Sequence, residues 1–274
     1  MKFRGAITDS VRGLQVFLRA VHMTSKVAKH VDLQLTEDSM NLMVIEPANK
    51  GGLRVKISID KEELFTDYIM SGVSEELNEI HLEVPISVLL EVLKHASSAH
   101  SFKIKLSKKS TPVLVALAEL PSAMSAQRCV SHDIPVRVIP VADWTRIEER
   151  EEMDAKIRSY QVNHFRSFIE RIKTISNICS FRVTKDSDGD LELKVSAEIP
   201  QQVRIVTTFK DLQYPRECGP AEINLDIRKV SSLLAGLHIL PTCLEIHIVN
   251  KDFANIVLDF DDMRAILVLP AVHS

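Results

Sequence analysis

The chain has 274 residues, a formal net charge of −3 and a hydrophobic content of 45%. This composition supports packed cores and excludes disorder as the dominant state, and the length suits two ordinary domains or one large domain. No apolar run is long enough to span a bilayer, and the N-terminal residues lack the hydrophobic stretch of a secretory signal. We therefore expect a protein that has no membrane partner and is not secreted.

The four cysteines, Cys129, Cys179, Cys218 and Cys243, are widely spaced and do not form the dense pattern of a disulfide framework. A reducing compartment, the cytosol or the nucleus, fits this usage. No basic cluster typical of nuclear import is evident, so the residues alone leave both compartments open.

Apolar residues recur with helical spacing in four segments, and each segment follows a short run with the alternating pattern of a strand. Pro85 and Asp226 stand where two of the helices begin, as a first-turn proline and an N-cap. In chain order the predicted strand and helix pairs are 2–8 with 10–23, 79–84 with 86–98, 156–161 with 162–176, and 221–225 with 227–240.

Further alternating runs follow the helices, and clear examples are 55–59, 102–106 and 191–195. Each run has one apolar and one polar face, which favours antiparallel sheets. Gly51-Gly52 and Asp188-Gly189 suit tight hairpin turns. A unit of strand, helix and strands therefore occurs four times, as two pairs.

Between the two pairs lies an acidic stretch, Pro140 to Ala155, with little strand character. We interpret it as a linker between two similar domains. The predicted organisation is an N-terminal domain over 1–139, a connecting linker over 140–155 and a C-terminal domain over 156–274. Each domain is expected to combine antiparallel sheets with two helices, which gives an α+β fold.

The first predicted helix carries Arg12, Arg19 and Lys26 opposite its apolar side. Such a face can bind phosphates even in an acidic protein, although most surface helices carry charge opposite their apolar stripe. Glu91 and Glu170, on later helices, oppose a strong grip on phosphates. We expect weak, salt-sensitive and sequence-independent contact with duplex DNA. The other basic residues on the four polar faces are Lys94, Arg166, Arg171, Lys173, Arg228 and Lys229.

Motifs for catalysis or metal binding are weak in this sequence. The aspartates of 186–190 imitate the start of a calcium loop, but the glycine is misplaced and the twelfth position is Ala197. Cys129 and His132 have a metal-like spacing, but residues three apart on a strand point to opposite faces. With only eight glycines, a phosphate-cradling loop is missing. We expect no catalytic residue, metal or cofactor, and an enzyme on a β-rich scaffold stays open as an alternative.

Seven stretches, in order across nearly the whole chain, carry a resemblance. The most specific is His132-Asp133-Ile134-Pro135-Val136-Arg137-Val138-Ile139-Pro140. The others are Met1-Lys2-Phe3-Arg4, Asn78-Glu79-Ile80-His81-Leu82-Glu83, Lys103-Ile104-Lys105-Leu106, Phe209-Lys210-Asp211-Leu212, Asp226-Ile227-Arg228-Lys229 and Leu269-Pro270-Ala271. With the four repeated units, they resemble the sliding clamps of the proliferating-cell nuclear antigen type. Within that fold the chain looks most like the Hus-type subunit of the heterotrimeric checkpoint clamp.

The resemblance implies a ring of three paralogous subunits, with helices inside, sheets outside and double-stranded DNA in the hole. It implies a nuclear protein without enzymatic activity or cofactor that acts in the DNA-damage checkpoint and in repair. An ATP-dependent clamp loader would place the ring on DNA, and repair and checkpoint proteins would dock on its outer face. Neighbouring subunits would pair with the sheet edges at 128–139 and 203–209, which also removes the aggregation hazard of a bare edge.

By the same resemblance, partner peptides would enter an apolar pocket between the linker and the C-terminal strand. The matching residues are Ile45, Ile139, Pro140, Pro270 and Ala271, of which Ile45 and Ile139 are equally compatible with ordinary core positions. Two other interpretations remain open at this stage. One is a homotrimeric replication clamp of the same fold, and the other is a β-rich scaffold without DNA contact.

Overall fold

Strands outnumber helices in the part of the chain that the computed structural model describes. The described residues are 1–8, 11–121, 128–147, 152–199, 203–215 and 218–272.

The chain folds into two compact units. The first unit comprises Met1–Val44 and Lys56–Arg146, and the second comprises Ile45–Val55 and Ile147–Ser274. The short segment Ile45–Val55 thus belongs with residues that lie far from it in sequence. The predicted domain limits, given above, stay a prediction.

The first unit follows the predicted order, in which a strand leads into each long helix. Its elements are β1 (Lys2–Thr8), α1 (Val11–Ser25), β2 (His30–Leu35), β3 (Ser39–Ile45), β4 (Arg54–Asp60), α2 (Lys61–Leu64), β5 (Asp67–Ser71), β6 (Ile80–Pro85), α3 (Ile86–His95), β7 (Ser101–Lys108), β8 (Pro112–Leu120), β9 (Arg128–Pro135) and β10 (Arg137–Val138).

These strands form one sheet in the order β5-β1-β7-β8-β9 and a further run in the order β10-β6-β2-β3-β4. The alternation in β7 explains its place, because Phe102 and Ile104 are buried while Lys105 is exposed. Helices α1 and α3 pack against each other. Leu89 and Leu93 of α3 are fully buried, as helical spacing of apolar residues requires.

The second unit repeats the pattern of strand, helix and strands. Its elements are β11 (Ala155–Ser159), α4 (Val162–Ile172), β12 (Ile178–Lys185), β13 (Leu191–Ile199), β14 (Val203–Phe209), β15 (Ala221–Asp226), α5 (Ile227–Ala235), β16 (Cys243–Val249), β17 (Phe253–Asp259) and β18 (Arg264–Pro270).

One sheet of this unit has the order β14-β13-β12-β15, and a further run of strands has the order β18-β17-β16-β11. The strand pairs of both are antiparallel. Helices α4 and α5 pack together, with Phe165 and Ile169 of α4 and Val230 and Leu234 of α5 fully buried. Strand β9 of the first unit and β14 of this one each end their sheet.

Three predicted helices are too long at their C-terminal ends. They were expected to reach residues 98, 176 and 240, but they end at His95, Ile172 and Ala235. The apolar rhythm misled the prediction, because Leu237 stays buried although it lies in a turn after α5. Helix α1, by contrast, continues two residues beyond its predicted end, to Ser25.

Of the two residues predicted to mark helix starts, one is confirmed and the other is not. The carboxylate of Asp226 accepts a hydrogen bond from the Arg228 backbone N–H at 3.0 Å, so the predicted N-cap is confirmed. Pro85 precedes α3 with extended dihedral angles and is still the last residue of β6. The prediction of a first-turn proline is therefore wrong by one position.

Both glycine turns are formed by residues with positive φ. Gly51 and Gly52 have φ of 96° and 62°, and Gly189 has 90°. In the second turn the Asp186 carboxylate accepts backbone N–H bonds from Asp188 and Asp190, at 2.9 and 3.0 Å. The predicted hairpin turn between β12 and β13 is confirmed.

Candidate nucleic-acid interface and partner pocket

The basic residues of α1 lie in three different environments. Arg12, in the first turn, is 65% exposed and its guanidinium lies 2.8 Å from the Glu63 carboxylate of α2. Arg19 is half-buried in the middle of the helix. Lys26 is exposed in a turn one residue after the helix ends, rather than on the helix itself. Of the three predicted basic residues, Arg12 and Lys26 are exposed and Arg19 is half-buried, so they do not form one continuous exposed stripe.

The predicted cations of α3 and α4 also differ in their partners. Lys94 is exposed in the last turn of α3. Arg166 of α4 is half-buried, 3.2 Å from Glu170 one turn later, and it donates to the backbone oxygen of Leu237 at 3.2 Å. Arg171 in the last turn and Lys173 just after it are both exposed.

The two cations of α5 are neutralised by carboxylates in the same unit. Arg228 pairs with Asp226 at 3.1 Å, which helps it tolerate the positive end of the helix dipole. The Lys229 ammonium pairs with Glu46 at 2.9 Å, and the side chain is only 17% exposed. Lys229 therefore joins α5 to the segment Ile45–Val55 within the second unit.

Four of the predicted cations have no carboxylate partner among the described residues, and all four lie at or just past the C-terminal end of a helix. A cation is favoured there by the partial negative charge of the helix end. This explains their positions without a ligand, and it leaves their charges available to phosphate groups. They are Lys26, Lys94, Arg171 and Lys173.

Two adjoining depressions open in the second unit and share Gly52, Arg54 and Pro270. The larger, of about 460 Å³, also includes the predicted pocket residue Ala271. The smaller, of about 170 Å³, has apolar walls of Ile147, Phe253 and Val268, and its polar wall residues are Arg54 and Asn255. Gly51 and Gly52 both lie at the rim of the larger depression, and their positive φ angles disfavour side chains there. We call these two depressions the C-terminal pocket.

Sequence reasoning missed three wall residues of the smaller depression that lie on β17 and β18, namely Phe253, Asn255 and Val268. Phe253 and Asn255 alternate along β17, as Val268 and Pro270 do along β18, and the period of two was the signal that linked them to Pro270. Asn255 is 1% exposed, and its side-chain oxygen has no hydrogen-bond partner. The wall of the pocket thus contains an unsatisfied acceptor.

The other predicted pocket residues are described in their own elements. Ile45 is half-buried at the end of β3. The Ile139 N–H donates to the His81 oxygen at 3.0 Å, and its own carbonyl accepts from the Trp144 indole at 3.0 Å. Pro140 is exposed and leads into a short 3₁₀ turn, Val141–Asp143.

A buried histidine in the first unit lies between two carboxylates. His81 Nδ1 is 2.9 Å from Asp32, and its Nε2 is 3.2 Å from Glu79. Burial lowers the pKa of His81, but the hydrogen bond and charge of Asp32, followed by those of Glu79, raise it more. The net pKa lies above the ordinary value. Trp144 stacks on the ring, with centroids 4.3 Å apart and planes inclined by 25°.

The second unit buries a carboxylate between an arginine and a histidine. Glu245 is 5% exposed and accepts from Arg158 Nε at 2.7 Å, while His247 Nε2 lies 2.9 Å from its other oxygen. Arg158 stands directly opposite Glu245 in the register of β11 and β16. Burial raises the pKa of Glu245, but hydrogen bonds from Arg158 and His247 lower it more, so the net pKa is below the ordinary value.

One group of possible metal ligands occurs in the described residues, where Cys243, Glu245 and Asp259 have ligand atoms within 4.8 Å of one another. Glu245 is already bound by Arg158 and His247, and Asp259 pairs with Arg264 at 3.3 Å. Burial raises the pKa of the Cys243 thiol, which disfavours the thiolate that a metal needs. The arrangement fits an ion-pair network better than a metal centre.

All four cysteines are free thiols. None of the helices in the described residues combines the length and apolar composition that crossing a bilayer requires.

Comparison with known proteins places the chain in a family. The family model described as "Hus1-like protein" matches residues 1–273. The human protein "Checkpoint protein HUS1" is 34% identical over 285 residues, covering 99% of this chain and 100% of the human one. The fission yeast Schizosaccharomyces pombe protein "Checkpoint protein hus1" is 27% identical over 226 residues, covering 81% of this chain and 74% of its own.

Two solved structures share the fold at low sequence identity. The proliferating cellular nuclear antigen of Entamoeba histolytica superposes with a TM-score of 0.73 at 10% identity, over 99% of both chains. The PCNA2–PCNA3 complex of Sulfolobus tokodaii gives a TM-score of 0.68 at 14% identity, over 98% of both chains. The α+β sliding-clamp fold predicted from the sequence is therefore confirmed.

Proposed function

The chain belongs to the Hus1-like family of checkpoint clamp subunits, and from this premise we propose that it forms a ring with two paralogous subunits around double-stranded DNA. The observation that carries the proposal is the family match over residues 1–273 in a chain with the sliding-clamp fold. The protein would act in the nucleus, in the DNA-damage checkpoint and in repair.

The two sheet ends, β9 and β14, support the pairing with neighbours. Each is the last strand of its sheet, so one side of its backbone is free to pair with another chain. On β14, Val203 and Val206 are 47% and 45% exposed, which is a hazard for a strand that stays bare. We expect each strand to extend the sheet of a different neighbouring subunit.

The unpartnered cations support a weak and sequence-independent hold on DNA. Lys26, Lys94, Arg171 and Lys173 offer charges to phosphate, and none of them belongs to a buried network that would fix it elsewhere. Arg12 is exposed enough to exchange Glu63 for a phosphate, whereas Lys229 is not. A ring retains DNA by its topology, so weak contacts suffice and permit sliding.

We infer a scaffold role without catalysis. The buried charged clusters around His81 and Glu245 are closed by hydrogen-bonded ion pairs, and among the buried side-chain atoms of the C-terminal pocket the unsatisfied one is the Asn255 oxygen. A set of acid, base and nucleophile is not assembled there among the described residues. Loading on DNA would then depend on a separate ATP-dependent clamp loader.

Repair and checkpoint proteins are the proposed occupants of the C-terminal pocket. Its walls, Ile147, Phe253, Val268 and Pro270, suit an aliphatic or aromatic side chain of a peptide. The unsatisfied oxygen of Asn255 favours a peptide that also donates a hydrogen bond there.

Loading of the assembled ring on circular DNA tests the function. The chain, co-purified with its two candidate paralogues, is loaded on nicked plasmid and the retained fraction is measured before and after linearisation. Retention on circles and loss from linear DNA are expected for a ring. Loss of this difference would overturn the proposal.

Charge reversal then locates the DNA contact. Lys94→Glu with Arg171→Glu should lower retention and reduce the slope of log affinity against log salt by about 1 for each lost phosphate contact. Lys185→Glu is the matched control, since Lys185 is an exposed lysine at the end of β12 on no helix. Equal effects of the control and the helix variants would contradict the assignment.

One simple measurement distinguishes the proposed heterotrimer from the alternative, a homotrimeric replication clamp. Size-exclusion chromatography of the lone chain should show a monomer if both edges await different partners. A stable trimer would favour the replication clamp.

A further inference from the structure

The protonation state of His81 follows from geometry alone. Its two ring nitrogens face carboxylate oxygens, of Asp32 at 2.9 Å and of Glu79 at 3.2 Å. An ionised carboxylate only accepts hydrogen bonds, so both nitrogens must donate. The arrangement requires the imidazolium form of His81, and a neutral ring can satisfy only one of the two carboxylates.

The same ring is the platform on which the connecting segment rests. Trp144 stacks on His81, and its indole N–H donates to the Ile139 carbonyl at 3.0 Å. The Ile139 N–H in turn donates to the His81 carbonyl at 3.0 Å. Arg146 reaches back to the free oxygen of Glu79 at 3.3 Å. Segment 139–146 is thus joined to β6 through His81 and one of its carboxylate partners.

We propose that protonation of His81 controls whether segment 139–146 stays docked on β6, with the imidazolium holding the segment and the neutral ring releasing it. We call Asp32, Glu79, His81 and Trp144 the latch. All four residues belong to the first unit, so the latch does not depend on DNA, on neighbouring subunits or on the proposed function.

Loss of the proton weakens two contacts together. One ring nitrogen becomes an acceptor that faces a carboxylate oxygen, which turns a charge-assisted hydrogen bond into a repulsive contact. The indole face also loses its attraction for a cation, a contribution equivalent to about two- to fivefold in the docking equilibrium at exposed sites. The second change acts directly on the docked segment through Trp144, and the first acts on the ring that supports the stack.

The charges around His81 agree with a protonated ring. Asp32 faces it from β2, and Glu79 faces it from the residue before β6. Gln34 donates to Glu79 at 2.8 Å, which keeps that carboxylate in place. The next groups along this face are the Glu83–Arg137 ion pair between β6 and β10, with His30 near Glu83 and Asp143 near Arg137.

The direction of the pH response follows from the raised pKa of His81. Its stabilising contribution is complete below the unfolded value of about 6.5 and is lost as the pH rises through the higher folded pKa. The latch is therefore closed on the acid side of that value and opens on the alkaline side.

The chain has a single tryptophan, and it is the latch residue Trp144, so its fluorescence reports the latch directly. An imidazolium in contact with indole quenches its emission by accepting an electron from the excited ring. In the full-length chain we expect emission to rise in one step as the pH is raised from about 5.5 to about 9, with a midpoint above about 6.5. A flat profile, or a midpoint below that value, would overturn the proposal.

Two variants assign the step to one residue. His81→Gln keeps a polar side chain that cannot become cationic, and it should abolish the step. His247→Gln is the matched control, because His247 is an equally buried histidine with a carboxylate partner, in the second unit. The step should survive in this control. Persistence of the step in His81→Gln, or its loss in His247→Gln, contradicts the latch.

A measurement on the unaltered chain covers the case in which His81→Gln does not fold. Hydrogen exchange of the amides in 139–146, corrected for the intrinsic effect of pH, should lose protection by about two- to fivefold across the same midpoint. Constant protection through that pH range would show that protonation does not control docking.

Discussion

The first unit buries a histidine between two carboxylates, whereas the second unit buries a carboxylate between an arginine and a histidine. His81 must be charged to satisfy Asp32 and Glu79, and Glu245 must be charged to satisfy Arg158 and His247. The two networks have opposite signs at the centre and therefore respond to opposite ends of the pH scale. The comparison shows that the stability of the first unit depends on the protonation of His81, and that of the second unit on the ionisation of Glu245.

The networks also differ in what removal of one partner leaves behind. Glu245 has a fixed cation in Arg158, which cannot give up its charge near neutral pH. His81 can release its proton and become neutral when a partner is lost. A buried group that can become neutral limits the free-energy cost of losing its partner. A buried group that stays charged at neutral pH bears that cost in full.

The largest effect is expected from Arg158→Met. It leaves Glu245, which is 5% exposed, with only His247 as a partner. Because Arg158 itself is 44% exposed, we expect the lower end of the cost of breaking a buried pair, about 3 kcal/mol. Protection of the β16 amides against hydrogen exchange should fall by about a hundredfold. Arg4→Met is the control, because Arg4 and Asp67 form a 3.8 Å pair with both side chains about half exposed, worth about 0–1 kcal/mol. Equal losses in both variants would show that burial does not set the cost.

A smaller loss is expected from Asp32→Asn in the first unit. A carboxamide oxygen can still accept from His81 Nδ1, but the charge is gone, so we expect a cost of about 1–2 kcal/mol. The midpoint of the Trp144 fluorescence step should also move to lower pH, because Asp32 is the carboxylate that raises the pKa of His81 most. Asp38→Asn removes an exposed carboxylate near Lys61 and should change neither quantity. An unmoved midpoint in Asp32→Asn would remove Asp32 from the network.

Acidification should loosen the second unit in the opposite sense to the latch. The net pKa of Glu245 is lowered, so its stabilising contribution is complete above its unfolded pKa and is lost as the pH falls through the folded value. Protection of the β16 amides should therefore decline below about pH 4. In Glu245→Gln this decline in protection should be absent. If the variant loses as much protection as the unaltered chain, groups other than Glu245 cause the decline.

The features of the fold that could be read from the sequence are local ones. Alternation placed the strands, and Asp226 marked the start of α5 because an N-cap acts on its own helix. The helix ends were not readable, since Leu237 is buried from a turn and continues the apolar rhythm without a helix. Periodicity indicates which face is buried, but not whether the backbone that carries it is still helical.

The networks could not be predicted for a related reason. His81 and Asp32 are 49 residues apart, and only the pairing of β2 with β6 brings them together. The sequence shows that both strands have a polar face, but the register decides which polar residues become neighbours. Trp144 gave a weak signal as the single tryptophan in a linker, without any indication of the ring on which it rests.

The smallest effect is expected from Arg146→Gln. The pair of Arg146 with Glu79 is 3.3 Å long and largely open to solvent on the arginine side, so its loss should cost about 0.2–1 kcal/mol. The fluorescence step should remain, with an alkaline baseline reached at slightly lower pH. Complete loss of the step would mean that the segment is held mainly by this exposed pair, and the stack on His81 would then be secondary.

The second unit includes Ile45–Val55, a stretch encoded far upstream of its other residues, and Lys229 clasps Glu46 from that stretch. A gene fragment that starts at the linker would therefore express an incomplete body, without Arg54 and the two glycines at the rim of the C-terminal pocket. To express the second unit alone, those eleven residues must be added back to the C-terminal fragment. A single cut in the sequence does not separate the two units, because the second unit is built from two separate stretches of the chain.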